Sequence, residues 1–338
     1  MKRTNQLIVA VAPVVIAAFA LAFARPAFSY LNELTAPSSG GTPLVDVWTA
    51  VPHWNLNPAL PTGKMVGTQT DLRNAAVASF NTWKAVPNVS NIVSGITEGP
   101  DSNVTDEKTP HPNVDLVCFV CTGADFTSDG TLAVTLTTSQ IQGSQSVITQ
   151  ADIIFNPNPS GMCFVATPVS GGTLPPCPNP SDSAQDLQTV LTHEIGHFFG
   201  LDHSAVVAAT MFPFAPTVRE TLSYDDVAGI SNTYPGPQIV PVGSISGTVT
   251  LSGAGVFGAH VFASSTTTTT PYTATIRKSP IGTLTQPGGT YTINGLPVDS
   301  YTVHAEPLDL PVTNTDVSGY ASAFGQSSVQ TNFTTRSH

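Results

Sequence analysis

The chain has 338 residues, 41% hydrophobic and only 10% charged, against about 25% charged in ordinary globular chains. Acids outnumber Lys plus Arg by 22 to 11, a formal charge of −11. That balance excludes a nucleic-acid binder, which needs a basic face, and a polybasic membrane-surface protein. The length allows about two domains and a sizeable core.

Residues 1–29 read as a secretory signal peptide. Lys2 and Arg3 precede an uncharged run from Leu7 to Ala24, and Ala27-Phe28-Ser29 places small residues at −3 and −1 of a cut before Tyr30. An uncleaved anchor helix is the alternative, since that run could just span a bilayer. Cleavage leaves 8 bases against 22 acids, a formal −14, and no later segment looks apolar enough to cross a membrane. The expected location is therefore secreted, extracellular or periplasmic. Residues 30–44 read as a flexible lead-in.

Residues 45–236 mix helix and strand signals. Asp71 to Ala85 carries Leu72, Ala76, Phe80 and Trp83 on one stripe and stops before Pro87. Ser183 to Phe199 carries Leu187, Leu191, Ile195 and Phe198 at helical spacing. Ser223 with Asp226 forms a capping box for a short helix ending at Pro235. Strands are expected at Val45–Thr49, Val114–Val120, Thr131–Thr137 and Val147–Phe155, all rich in β-branched residues. Helices and strands do not alternate regularly, so the class is α+β. Residues 237–243 (PQIVPVG) read as a linker. Residues 244–322 read as a small all-β sandwich, and 323–338 as a frayed tail. Ser264 to Thr270 reads as a mobile hydroxyl-rich loop.

Four cysteines, Cys118, Cys121, Cys163 and Cys177, sit in a chain expected to be exported, where disulfides persist. They allow three pairings, and sequence does not choose among them. Proximity favours 118–121 and 163–177.

The chemistry is concentrated in His193-Glu194-Ile195-Gly196-His197-Phe198-Phe199-Gly200-Leu201-Asp202-His203. His193 and His197 are i and i+4, on one face of a helix, close enough to share a zinc ion at ~2.0–2.1 Å. Gly200 can leave the helix with φ > 0, which lets His203 approach from another direction. Three histidines leave a coordination position open, the mark of a catalytic rather than a structural zinc. Glu194 sits beside the first ligand, placed to act as general base on a zinc-activated water. Chance occurrence of the five-residue pattern is on the order of 10⁻⁵ for this composition.

HEIGHFFGLDHS resembles the metzincin signature. The resemblance extends to Ala208-Ala-Thr-Met211-Phe-Pro-Phe214, similar to the Met-turn of matrixins, and to Leu222–Ile230 with Tyr234, similar to their last helix. Ala75–Ala85 resembles their first helix and Pro52–Asn57 their first strand. It implies a twisted mixed sheet with three helices, a Met-turn at Met211, and cleavage of peptide bonds in protein or peptide substrates. By the same resemblance Gly130–Thr135, with Leu132, Ala133 and Val134, looks like the edge strand that pairs with substrate; an ordinary buried strand is the alternative. Pro213 and Phe214, in the run to Thr217, would line the pocket beside the scissile bond.

The departures narrow the expectation. Val134 and Asp152–Ile154 occupy the stretches where matrixins often place histidines for a second zinc, so one catalytic Zn²⁺ is expected. His53 and His111 read as solvent-facing loop residues. Calcium, usual in the family, could use Asp125 and Asp129, although such residues commonly only make turns. No Pro-Arg-Cys-Gly switch is present.

The pattern ISGTVT…GAHVFA…GGTYTINGLPVDSYTVHAEP resembles carboxypeptidase-regulatory-like, transthyretin-like modules, which implies an accessory module without catalytic residues. Two function classes remain: a secreted zinc endopeptidase, and a non-catalytic secreted zinc-bound adhesion protein acting through its sandwich.

Overall fold

A computed structural model describes residues 7–11, 30–38, 40–126, 130–169, 172–214, 216, 218–267, 278–308 and 311–338. Packing divides the chain into two units. One comprises Asp46–Gly200 with Phe214–Thr221; the other comprises Met1–Val45, Leu201–Pro213 and Leu222–His338. Strands β1 (Leu7–Val11) and β2 (Leu34–Thr35) open the chain and belong to the second unit.

The first unit is built from β3 (Leu44–Val47, entering at Asp46), β4 (His53–Asn57), β5 (Met65–Val66), α1 (Gln69–Lys84), the single turn α2 (Asn91–Ser94), β6 (Thr97–Glu98), β7 (Leu116–Cys118), β8 (Ala133–Gln142), β9 (Gln145–Phe155), β10 (Met162–Val165), β11 (Ser183–Asp186) and α3 (Leu187–Phe198). Its main sheet runs β6-β4-β7-β9-β8. The first four strands are mutually parallel, and β8 lies antiparallel on β9, from Ala133 opposite Phe155 to Gln142 opposite Gln145. β3 adds to β9 through Asp46 and Val47. β10 separately pairs in parallel with β5 and β11.

Burial follows position. Residues 151–155 of β9 are all buried, as expected of a strand flanked on both edges and covered on both faces. β8 is half-buried or exposed throughout, as expected of an edge strand.

α1 starts at a capping box in which Thr68 and Asp71 satisfy each other's backbone N–H. Its buried stripe is Leu72, Ala76, Phe80 and Trp83. Trp54 stacks on Phe80 at 4.6 Å, and Phe80 meets Phe198 edge-on at 5.9 Å. Trp83 Nε1 donates to Thr192 O at 2.8 Å, fastening α1 to α3. A buried tryptophan of this kind is worth ~3–5 kcal/mol against truncation to alanine.

One sequence expectation changes here, and the cysteine pairing favoured by proximity is observed. The helix expected over 183–199 begins at Leu187. Residues 183–186 pair with β10 instead, and the Asp186 side chain then accepts from Thr189 N as N-cap. The cysteines pair as Cys118–Cys121 and Cys163–Cys177, with none free.

The second unit contains α4 (Tyr224–Thr233), β12 (Val242–Leu251), β13 (Ala254–Gly255), β14 (His260–Ser265), β15 (Ile281–Leu284), β16 (Thr290–Pro297), β17 (Tyr301–Glu306), α5 (Ser318–Ala323) and β18 (Arg336–Ser337). Its strands form two four-stranded antiparallel sheets. In one, β12 pairs with β1, β13 and β16; the other runs β15-β14-β17-β18. The backbone of Leu7–Val11, inside the expected signal segment, thus runs beside Gly247–Leu251.

The packing units are not the sequence blocks. Residues 224–230 of α4 are all buried, so this helix needs partners on several sides. Tyr224 N donates to Ser279 Oγ at 3.1 Å, and Gly282 N donates to Asp225 Oδ1 at 2.8 Å. The expected linker at 237–243 is therefore no packing boundary. In the expected tail, Val329 is buried, Phe257 N donates to Gln330 Oε1 at 2.7 Å, and β18 pairs with β17. Of the expected mobile loop, 268–270 lie outside the described residues.

Candidate metal centre

The eleven residues from His193 to His203 bring three imidazoles together. Each offers one ring nitrogen, and these atoms lie within 4.8 Å of one another. Among the described residues this is the one group of three or more His, Cys, Asp or Glu side chains that could hold a metal ion. His193 Nε2 and His197 Nε2 are 3.2 Å apart. Two nitrogens bound tetrahedrally at ~2.0–2.1 Å would be separated by about 3.3 Å. The donor set therefore fits a zinc ion. His203 Nδ1 lies 3.4 Å from Asp316 O, a contact that suits the tautomer carrying its proton on Nδ1.

The local chain explains the convergence. α3 buries Leu187, Leu191, Ile195 and Phe198, which leaves His193 and His197 on another face, half-buried. The helix stops at Phe199, whose N–H returns to Ile195 O and Gly196 O. Gly200 follows with φ +79°, and an added Cβ there would stand 2.2 Å from Asp46 O. Only glycine fits that turn, so the exit toward His203 is fixed by sequence.

Glu194 is 5% exposed. Thr135 Oγ1, on β8, donates to Glu194 Oε2 at 2.6 Å and lies 3.1 Å from Glu194 O. Sequence reasoning missed this contact, because the partners are 59 positions apart and no spacing rule links them.

Met211 is buried, 2% exposed. Its carbonyl accepts from Ser204 N at 2.7 Å. Asp226 Oδ2 accepts from Thr210 N at 2.8 Å, and Asp226 Oδ1 from Met211 N at 3.0 Å. The same carboxylate closes the capping box of α4 by accepting from Ser223 N and Oγ. The box was legible in sequence; its second use as the anchor of the Met211 turn was not. Burial, reinforced by Asp226, pushes the neighbouring Asp225 up to about 7, although Ser204 Oγ and Gly282 N donate to it.

The remaining candidates fall as follows. Leu132 O accepts from Asn156 N, and Ala133 and Val134 begin β8 opposite Phe155 and Ile154. Val134 packs on a cluster of Leu116, Ile154 and the Cys118–Cys121 disulfide, while Thr135, next along the strand, reaches α3. Pro213 is half-buried and Phe214 is 52% exposed. Ala215 and Thr217 lie outside the described residues, as does Asp129, half of the expected calcium pair with Asp125.

His53 and His111 are not solvent-facing loop residues. His53 begins β4, half-buried. His111 is buried, with Nδ1 2.6 Å from Thr109 O and Nε2 3.1 Å from Asp152 Oδ2. Burial pulls its pKa down, but the Thr109 carbonyl and Asp152 outweigh that and hold it above the ordinary value. Beside it, burial pushes Asp115 up to about 6, against the opposing hydrogen bond from Ala151 N.

The matrixin family model matches residues 120–235. This part of the chain is similar to matrixins. Metalloendoproteinase 1-MMP of Arabidopsis thaliana is 45% identical over 62 residues, 18% of this chain and 17% of that protein. Stromelysin-3 of Rattus norvegicus is 44% identical over 73 residues, 21% of this chain and 14% of its own. Karilysin of Tannerella forsythia is 40% identical over 52 residues, 15% of this chain and 11% of its own. The matched segments thus span less than a fifth of these matrixin relatives.

Proposed function

We propose that the protein is a secreted zinc-dependent endopeptidase. The observation that carries this is the convergence of the His193, His197 and His203 ring nitrogens beside a buried carboxylate, in a segment that matches matrixins. A zinc ion held there would supply Lewis-acid polarisation of a carbonyl and would acidify water. His193, His197 and His203 would hold it. Glu194 takes up a proton during attack and returns it to the leaving amine. β8 has β9 on one edge and no named strand on the other among the described residues. An extended peptide can add there by backbone hydrogen bonds along Leu132, Ala133 and Val134, with Pro213 and Phe214 beside the scissile bond. Met211 lies in the buried turn secured by Asp226.

Export is supported by the N-terminal segment and by two disulfides, which persist in oxidising compartments. Among the described residues no helix is long and apolar enough to cross a membrane. The test is peptide hydrolysis by the zinc-loaded chain and by Glu194→Ala. The variant should keep its zinc and lose activity by ~10²–10⁴-fold. Undiminished hydrolysis by that variant would falsify the mechanism, and function residing wholly in 240–338 would favour the adhesion protein.

A further inference from the structure

We infer that Thr135 is a positioning residue for Glu194, so that the edge strand β8 both presents a row of backbone groups and aims the general base. This rests on the endopeptidase reading above.

The geometry is specific. Along a strand, side chains alternate faces. Val134 goes to the cluster around the Cys118–Cys121 disulfide, and Thr135 goes to α3. There its hydroxyl meets Glu194 Oε2 at 2.6 Å, the length of a charge-assisted bond. The same oxygen lies 3.1 Å from Glu194 O. A hydroxyl carries one hydrogen and two lone pairs. Its hydrogen directed at Oε2, with the backbone carbonyl of the same residue also in reach, fixes the carboxyl against the start of β8.

The strand under Thr135 is well fixed. Thr135 stands opposite Ile153, and that register continues from Ala133 opposite Phe155 to Thr138 opposite Gln150 before shifting. Ile153 and its neighbours in β9 are fully buried. A peptide adding to the outer edge of β8 would settle the strand further, and through Thr135 the base with it.

The experiment uses the full-length zinc-loaded chain with Thr135→Val, which keeps the shape and removes the hydroxyl, and Thr135→Ser, which keeps the hydroxyl. kcat and KM for a peptide substrate, zinc content and melting temperature are measured for each. Thr135→Val should lower kcat by about 10- to 100-fold, the loss expected for one hydrogen bond to a charged group, with KM and zinc content within about twofold of the parent. Thr135→Ser should restore kcat to within about threefold. Retention of kcat by Thr135→Val overturns the inference. So does equal loss in both variants, or loss of zinc in Thr135→Val, since either makes the side chain merely structural. Failure of the endopeptidase reading is separable: the parent would then hydrolyse no peptide, or Glu194→Ala would match it.

Discussion

Two histidine sites among the described residues use the same side chain in opposite ways. Around α3, three half-buried imidazoles turn ring nitrogens toward one another. At the loop before β7, His111 has both ring nitrogens within hydrogen-bond range of protein groups, Thr109 O on one side and Asp152 on the other. A positively charged ion fits the first arrangement. In the second, the ring is held between a backbone carbonyl and a buried carboxylate. Residue type does not distinguish a ligand from a clasp; the direction of the second nitrogen does.

That contrast can be broken by substitution. His197→Ala should abolish zinc binding and reduce hydrolysis to background, while the metal-free protein keeps its stability to within about 1 kcal/mol, because the ring is only half-buried. Metal analysis and urea unfolding of the stripped protein check both. Gly200→Ala should destabilise by about 2–5 kcal/mol, from the left-handed φ and the collision with Asp46 O. A thermal melt reads this, and a neutral outcome would mean that the exit toward His203 is not constrained as described. His111→Ala should cost about 1–3 kcal/mol by removing the partner of a buried carboxylate, yet leave zinc content at the parental level. Loss of zinc in that variant would erase the distinction between the sites.

The smallest effect concerns pH. Asp115 holds its proton more tightly folded, at about 6, than in the unfolded chain. The folded state thus binds more protons in that window, and stability falls as pH rises from about 4 to about 6. The raised imidazole of His111 adds a further loss as pH climbs above its unfolded value near 6.5. Asp115→Asn retains an acceptor for Ala151 N and lacks the titration. It should exceed the parent by about 1–2 kcal/mol above pH 6 and show no advantage at pH 4. Parallel unfolding curves at pH 4, 6 and 8 decide the matter.

The histidine group was legible because its members lie within eleven residues, where helical periodicity and one glycine suffice to place them. The α1 stripe and the capping box of α4 were legible for the same reason: both are local. What could not be read was every feature made by distant segments. Asp186 looks like helix interior until β10 claims the four residues ending with it. His111 reads as a loop histidine until the fold places Asp152 against it. Thr135 and Asp226 acquire second roles from partners 59 and 15 positions away. The region after 240 revealed its strands through alternation, but nothing local indicates that α4 packs with it.

The most direct measurement is X-ray absorption at the zinc edge on the purified full-length protein, combined with metal analysis of the parent and of His203→Ala. One zinc per chain is expected, with three imidazole nitrogens at ~2.0–2.1 Å, and substantial loss of that metal in the variant. A sulfur ligand, a fourth protein ligand, or zinc unaffected by removal of His203 would contradict a three-histidine centre, and with it the assignment as a hydrolase.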